Sequence, residues 1–339
     1  MEYKEILERA RKNFAGRCRV CPVCNGVACA GEIPGMGGIR QAKTFKRNVA
    51  AWDEYGIVMQ SMGGAKEPST KTKFLGVELA LPVMVAPIGG VPLNMTNEMT
   101  EEEYTDAVCM GALDAGTIAF TGDSGAPGIY DAGLAQLNKT KGLMVPTIKP
   151  RENDALVEYA NRAILQGAKM LACDMDAAVL VNMRLFNQPV ETKTIATWQE
   201  LVSEIPVPFI LKGINTAEEA IAAVRAGVSA IVVSNHGGRI LDGMAGTADV
   251  LPAIAKAVKG EIPIIVDGGI RGGEDVFKAL ALGADAVLIG RPAAIAAVGG
   301  GREGVTMLLN QYQSAFRDAM MMTGCQTVKE IHSGLLQKI

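Results

Sequence analysis

From residue 82 onward the chain alternates short β-branched runs with longer Ala-rich segments of helical character, and it does so eight times. The runs span 82–87, 116–122, 142–149, 168–176, 207–214, 230–235, 262–269 and 286–292. Strand–helix alternation of this kind calls for parallel strands joined by crossover helices. Several helical segments open on a threonine with a glutamate three residues later, as at Thr100/Glu103, Thr197/Glu200 and Thr216/Glu219, and Gly227 and Gly283 close others just before the next strand. Eight units with right-handed crossovers fit closure into a (β/α)8 TIM barrel, with an open doubly wound sheet as the alternative. At 339 residues the chain is within reach of one barrel domain, residues 82–339, preceded by an extension, residues 1–81, expected to pack on it.

Composition narrows the function. Apolar residues make up 49% of the chain and charged residues 20%, which suits a folded protein with a sizeable core and excludes a disordered one. A net charge of −3, with no basic patch and no aromatic-basic interleaving, argues against nucleic acid. There is no apolar run of membrane-spanning length, and the start, Met1-Glu-Tyr-Lys-Glu-Ile6, is charged and amphipathic. A cytosolic protein without a membrane partner is expected, in which small acidic ligands are held by local cations. Cys109, Cys173 and Cys325 are scattered, whereas Cys18, Cys21, Cys24 and Cys29 fall within twelve positions. In a reducing compartment that clustering favours metal ligation over disulfides. The C-x2-C-x2-C opening suits an iron–sulfur cluster, four thiolates also suit tetrahedral zinc, and free thiols are the third reading.

Barrels carry their chemistry on the loops that follow the C-terminal ends of the strands. The Gly-rich and polar residues of this chain fall there. Ala86-Pro-Ile-Gly-Gly90 follows the first strand, Lys212-Gly the fifth, Ser234-Asn-His-Gly-Gly-Arg239 the sixth, Asp267-Gly-Gly-Ile-Arg271 the seventh and Gly290-Arg-Pro292 the eighth. Gly268, Gly269, Arg271, Gly290 and Arg291 supply backbone N–H groups and cations for a phosphate at the last two strand ends. His236, one of two histidines, sits at a strand end three positions before Arg239 and is the expected base; His332 is expected at the surface. Lys212 leaves an apolar strand and needs an anion for its ammonium. Asp174 can pair with Lys212 or orient the imidazole of His236, and the second role is the expectation.

At these residues the chain closely resembles the FMN-dependent α-hydroxy acid oxidase and dehydrogenase family, which includes glycolate oxidase, lactate oxidase and the flavin domain of flavocytochrome b2. The most specific pieces are Ser-Asn-His-Gly-Gly-Arg at 234–239, Asp-Gly-Gly-Ile-Arg at 267–271 and the run from Phe277 to Pro292, within a match over roughly 75–335. The resemblance implies FMN across the strand ends, with its phosphate on Gly269, Arg271, Gly290 and Arg291. Pro87, Ile88, Gly89, Gly122, Ser234, Asp267 and Gly268 are further flavin contacts on the same footing. Lys212 would stabilise negative charge at the N1–O2 edge of the reduced ring. His236 would take a proton from a 2-hydroxy acid such as lactate or glycolate while a hydride or its equivalent reaches flavin N5, and Arg239 would hold the substrate carboxylate. A homo-oligomer is also implied; the electron acceptor is left open. An iron–sulfur cluster near the mouth would favour a dehydrogenase over an oxidase.

The departures bear on substrate. The family's N-terminal substrate tyrosine is missing, and the cysteine cluster occupies that region. Val145-Pro-Thr-Ile-Lys149 stands where the family has a Gln and a Tyr, so the hydroxyl contact is either lost or replaced by Thr147 or Lys149. Asp174-Met-Asp-Ala-Ala-Val179 replaces Thr-Pro-Arg and its following arginines, removing a second carboxylate ligand. Asp123 and Asp176 suggest a more acidic pocket than the family's. Two other functions compete. One is an FMN-dependent isomerase related to type 2 isopentenyl diphosphate isomerase, and the other is a flavin-binding protein that has lost catalysis. The Ser-Asn-His-Gly-Gly-Arg run speaks against the first, and the retained His236, Arg239 and Lys212 speak against the second.

Overall fold

A computed structural model of the protein describes residues 2–339. Eight parallel strands follow one another around a barrel: β1 (Val83–Val85), β2 (Phe120–Thr121), β3 (Val145–Ile148), β4 (Leu171–Asp174), β5 (Phe209–Ile214), β6 (Ala230–Val233), β7 (Ile264–Val266) and β8 (Ala286–Ile289). Each pairs with its sequence neighbour, and β8 pairs with β1. The ring closes between β1 and β2 through a parallel bridge from Val85 to Ala119, with Val85 N–H donating to Ile118 O at 3.2 Å. That bridge replaces the two bare edges of an open doubly wound sheet, the alternative reading of the sequence.

Side chains alternate across the barrel wall as strand geometry requires. Met84, Phe120, Val145, Ala172, Ile210, Val232, Ile265 and Leu288 point inward and form one cluster. Val83, Val85, Leu171, Cys173, Leu211, Ile231, Val266 and Val287 point outward into the larger core under the helices. An antiparallel hairpin, Thr72–Phe74 with Val77–Leu79, adds Phe74 and Leu79 to the interior cluster, filling the barrel as a packed core.

The residues before the barrel form one small cluster of their own, Ala42, Phe45 and Val49, and otherwise pack on the barrel. Ala10, Phe14, Val20, Met36 and Trp52 join the main hydrophobic cluster. Helix α1 (Tyr3–Asn13) lies against α3 (Arg291–Met322), which is interrupted at Gly301, and α2 (Lys43–Asp53) lies against the helix Thr247–Val258. Residues Tyr55–Ile57 pair antiparallel with Leu336–Lys338, tying this region to the chain's last strand. The caps at Thr100 and Thr216 accept from Glu103 N–H and Glu219 N–H as expected. The third helix starts one turn earlier than the sequence suggests: Thr194 is its cap and Thr197 donates to it. Among the described residues no helix is long and apolar enough to cross a membrane.

Candidate active site

Strand parity determines which polar residues meet at the mouth. Thr147 and Lys149 share the inward parity of Val145, Asp174 that of Ala172, and Lys212 that of Ile210. Register then aligns them, because Asp174 pairs directly with Lys212 across β4 and β5 while Ile148 pairs with Cys173 across β3 and β4. The result is a row of charges in one layer. Lys149 Nζ donates to Asp174 Oδ2 at 2.5 Å, Lys212 Nζ lies 2.9 Å from Asp174 Oδ1, and Asp267 Oδ2 is 3.6 Å from Lys212 Nζ. Burial alone would push the Asp174 carboxyl up, but the two ammonium groups hold it well below the usual carboxylate range. The same geometry raises Lys212 well above an ordinary lysine, overriding its burial, with Asp174 the largest cause and Asp267 next.

The carboxylate that meets the imidazole is therefore not Asp174, contrary to expectation, but Asp176. Asp176 Oδ1 lies 2.9 Å from His236 Nδ1. The reason is local: β4 ends at Asp174 and the chain turns at once into a 3₁₀ segment, Met175–Val179, which carries Asp176 across to the end of β6. Gly213 makes room for it, with φ of +113° and a position at which any Cβ would lie 2.7 Å from the Asp176 Cβ. His236 itself adopts φ of +56°, an uncommon value for a non-glycine residue, and its N–H donates to Ser234 Oγ at 3.1 Å. Asp174, Asp176 and His236 also bring ligand atoms within 4.8 Å of one another. Lys149 and Lys212 already neutralise Asp174, so this constellation is a His236–Asp176 pair beside an ion-paired carboxylate.

A cleft with about 970 Å³ of empty space, part of it open to solvent, covers these groups. Pro87, Ile88, Gly89, Lys149, Lys212, His236, Arg239, Asp267, Gly268, Gly269, Arg271, Gly290 and Arg291 all line it. Gly122 stands behind Gly89, close enough that a Cβ would meet the Gly89 nitrogen at 2.8 Å. Thr147 does not reach the cleft. It is fully buried one layer deeper, donating to Val145 O at 3.3 Å, so of the two expected substrate contacts only Lys149 is at the surface of the cleft. Asp123 is no free acid either. Arg151 clasps it in a two-pronged pair at 2.8 and 3.0 Å, so the pocket is less acidic than the sequence suggests. His332 is exposed.

Among the described residues, the guanidiniums of three arginines around the cleft form no ion pair and are held by neutral acceptors. Arg239 donates to Gly35 O at 2.6 Å, Gly37 O at 3.1 Å and Asn94 Oδ1 at 3.2 Å. Arg291 donates to Met36 O, Gly37 O and Gly237 O and stacks on Phe45 with its guanidinium 3.7 Å from the ring centroid. Arg271 donates to Cys24 O and Ile270 O. Burial, reinforced by the charge of Arg291, draws Arg239 down to about 9, and burial draws Arg291 down to about 10. Cations destabilised in this way favour anionic ligands. Gly290 precedes the first turn of α3, where backbone N–H groups add to the positive field. Asp267 Oδ1 is buried without a hydrogen-bond partner. This donor set fits FMN, a phosphate dianion joined to a flat polar ring. The four N-terminal thiols are all free, and among the described residues no three of them lie within 4.8 Å of one another.

Several contributors lay outside the sequence reading. Asn94 is shared between Arg239 and Gly35 N–H, and Glu101, buried at the start of a helix, accepts from Gly90 N–H and Val91 N–H behind the first loop. A glutamate in a first helical turn reads as an ordinary dipole partner, which is why the pattern conceals its second role. Asp176 was visible only as one acid among several.

A family model described as FMN-dependent dehydrogenase matches residues 36–193 and 182–338. Among curated proteins, the L-lactate oxidase of Lactobacillus jensenii is 32% identical over 327 residues, covering 87% of this chain and 78% of that one. A peroxisomal (S)-2-hydroxyacid oxidase of Arabidopsis thaliana is 29% identical over 332 residues, covering 87% and 88%. Among solved structures, mandelate oxidase with (S)-2-phenylpropionate superposes with a TM-score of 0.80 at 27% identity, covering 99% of this chain and 98% of that one. A variant of mandelate oxidase carrying an FMN adduct gives 0.77 at 27% identity, covering 99% and 98%.

Proposed function

The chain belongs to the FMN-dependent dehydrogenase family, and on that footing we propose that it oxidises a small 2-hydroxy acid to the corresponding 2-oxo acid. The observation that carries this reading is the His236–Asp176 pair at the mouth of a cleft that also presents Arg239 and Lys212. FMN, when bound, supplies the two-electron acceptor. Gly268, Gly269, Arg271, Gly290 and Arg291 would hold its phosphate end, and Lys212, anchored by Asp174, would face its ring as a fixed positive charge.

Asp176 engages Nδ1 of His236, which leaves Nε2 to take a proton from the substrate. As the imidazolium forms, the adjacent carboxylate stabilises it and keeps the ring oriented. Arg239 is held by neutral acceptors only, so its charge is available to a substrate carboxylate. Lys149, fixed on Asp174, supplies an ammonium at the position from which the family's hydroxyl contact is missing.

The test is a panel of 2-hydroxy acids added without oxygen to the flavin-loaded protein. Loss of the oxidised flavin absorption with at least one of them is the expected result, and no bleaching across short, branched and aromatic members would sink the proposal. Arg239→Lys narrows it further. A planar fork becomes a point charge, so substrate affinity should fall about 10- to 100-fold, the range of one charged hydrogen bond. An unchanged concentration dependence of flavin bleaching would place the carboxylate elsewhere.

A further inference from the structure

The flavin chemistry leaves one feature unused, the segment that carries Cys18, Cys21, Cys24 and Cys29. We propose that these four thiolates hold an iron–sulfur cluster of the four-iron type, seated against the arginine side of the cleft. This inference stands on the cysteine segment and does not depend on the substrate reading.

Convergence comes first. Cys24 and Cys29 pack against the same apolar patch, built from Ala42, Phe45 and Val49, and the opposite charge of Arg291 stacks on that Phe45 ring. Cys18 packs on the main core at the base of the segment. Backbone turns bring them together. Val20 adopts φ of +46°, a costly value for a β-branched residue, and Gly26 follows with φ of +81°. The turn at Val20 directs its N–H to Cys18 Sγ at 3.4 Å, the type of contact that stabilises a thiolate bound to a cluster.

Spacing and charge separate the metal choices. Zinc–thiolate bonds of about 2.3 Å would keep the sulfurs within about 4.6 Å of one another. Among the described residues, no three of these thiols come within 4.8 Å of each other. That separation favours the wider-set thiolates of a four-iron core over a single tetrahedral zinc. Four thiolates on such a core bring net negative charge to a place where, among the described residues, the guanidiniums of Arg271 and Arg291 form no ion pair, and Arg271 Nε already donates to Cys24 O at 2.9 Å.

The placement ties the cluster to the cleft. Cys29 leads into a loop closed at its base by a bridge between Ala30 and Gly38, and the tip carbonyls of Gly35, Met36 and Gly37 accept from Arg239 and Arg291. A cluster on Cys29 therefore braces the loop that positions both guanidiniums.

The experiment is metal and sulfide analysis of the full chain purified without oxygen, with electron paramagnetic resonance after dithionite reduction. About four iron and four acid-labile sulfides per chain and a reduced-cluster signal are expected. Stoichiometric zinc, or no iron even after reconstitution with ferrous iron and sulfide, would overturn the proposal. Cys24→Ser should lower the iron content while Cys325→Ser, far along the chain and hydrogen-bonded to Thr323, should not. Equal iron in both would also overturn it, and if Cys24→Ser does not fold, the native metal content decides alone. Flavin bleaching by a hydroxy acid is read separately: bleaching without iron sinks only the cluster, and iron without bleaching sinks only the substrate reading.

Discussion

Replacing His236 with alanine should leave FMN bound and slow flavin reduction by a 2-hydroxy acid by about 10²- to 10⁴-fold, the loss that follows removal of a general base. The cofactor should stay because the hydrogen bonds of His236 run to Asp176 and Ser234 rather than to the phosphate-end groups. Its backbone complicates the simple variant, since φ of +56° suits alanine poorly. Asparagine tolerates that region better and has no basic nitrogen, so His236→Asn should give the same loss with less disturbance of the turn. Asp176→Asn is the companion measurement. Its amide can hold the imidazole in the wrong tautomer, so the maximal rate should fall and its pH profile change while the substrate concentration at half-saturation hardly moves. The readout is anaerobic stopped-flow absorbance at the flavin band. Rates unchanged in His236→Asn would remove the imidazole from proton transfer, and an effect of Asp176→Asn confined to substrate affinity would remove the dyad.

The strands were legible because each βα unit writes its own signature. A β-branched run must alternate with a helix long enough to cross back, and all eight strands fall inside the spans read from the sequence. The strand ends were legible as a place for chemistry, but the partnerships there were not. Asp174 and Asp176 are two apart and would share a face in a continued strand; the 3₁₀ turn after Asp174 sends one to the lysines and the other to the imidazole. Thr147 and Lys149 do share a face, and what separates them is depth, one layer of barrel interior against the open mouth. The pairing of Asp123 with Arg151 joins the ends of two strands through loop geometry that spacing does not encode. The same holds for Arg239, whose backbone acceptors Gly35 and Gly37 lie some two hundred positions earlier, just past the last clustered cysteine. Local pattern therefore reached the elements and the residue types, while register, depth and loop path set the roles.

Asp174 is where the largest loss of stability is expected. Its carboxylate is fully buried and is shared by two ammonium groups, with Asp267, at 3.6 Å from Lys212, and Asp176 as weaker counter-charges. Asp174→Asn removes the charge without changing the volume, leaving Lys149 and Lys212 to repel each other in a site with little water. Breaking a buried ion pair from one side costs about 3–5 kcal/mol, a large share of the roughly 5–15 kcal/mol that holds a typical domain folded. The pH dependence follows from the directions of the shifts. Asp174 is held below its unfolded value, so its contribution is present above about pH 4 and is lost as pH falls toward the folded value. Lys212 is held above its unfolded value, so its contribution is present below about pH 10 and is lost as pH rises through the folded value. Between those limits the gap between the native protein and Asp174→Asn should be widest, and it should narrow on acidification. Urea unfolding midpoints of both proteins from pH 2 to pH 9 provide the measurement. A variant as stable as the native chain at pH 7 would mean that the lysines lose their protons or reach water when Asp174 is neutralised, and Lys212 could then not serve as a fixed positive charge for the flavin.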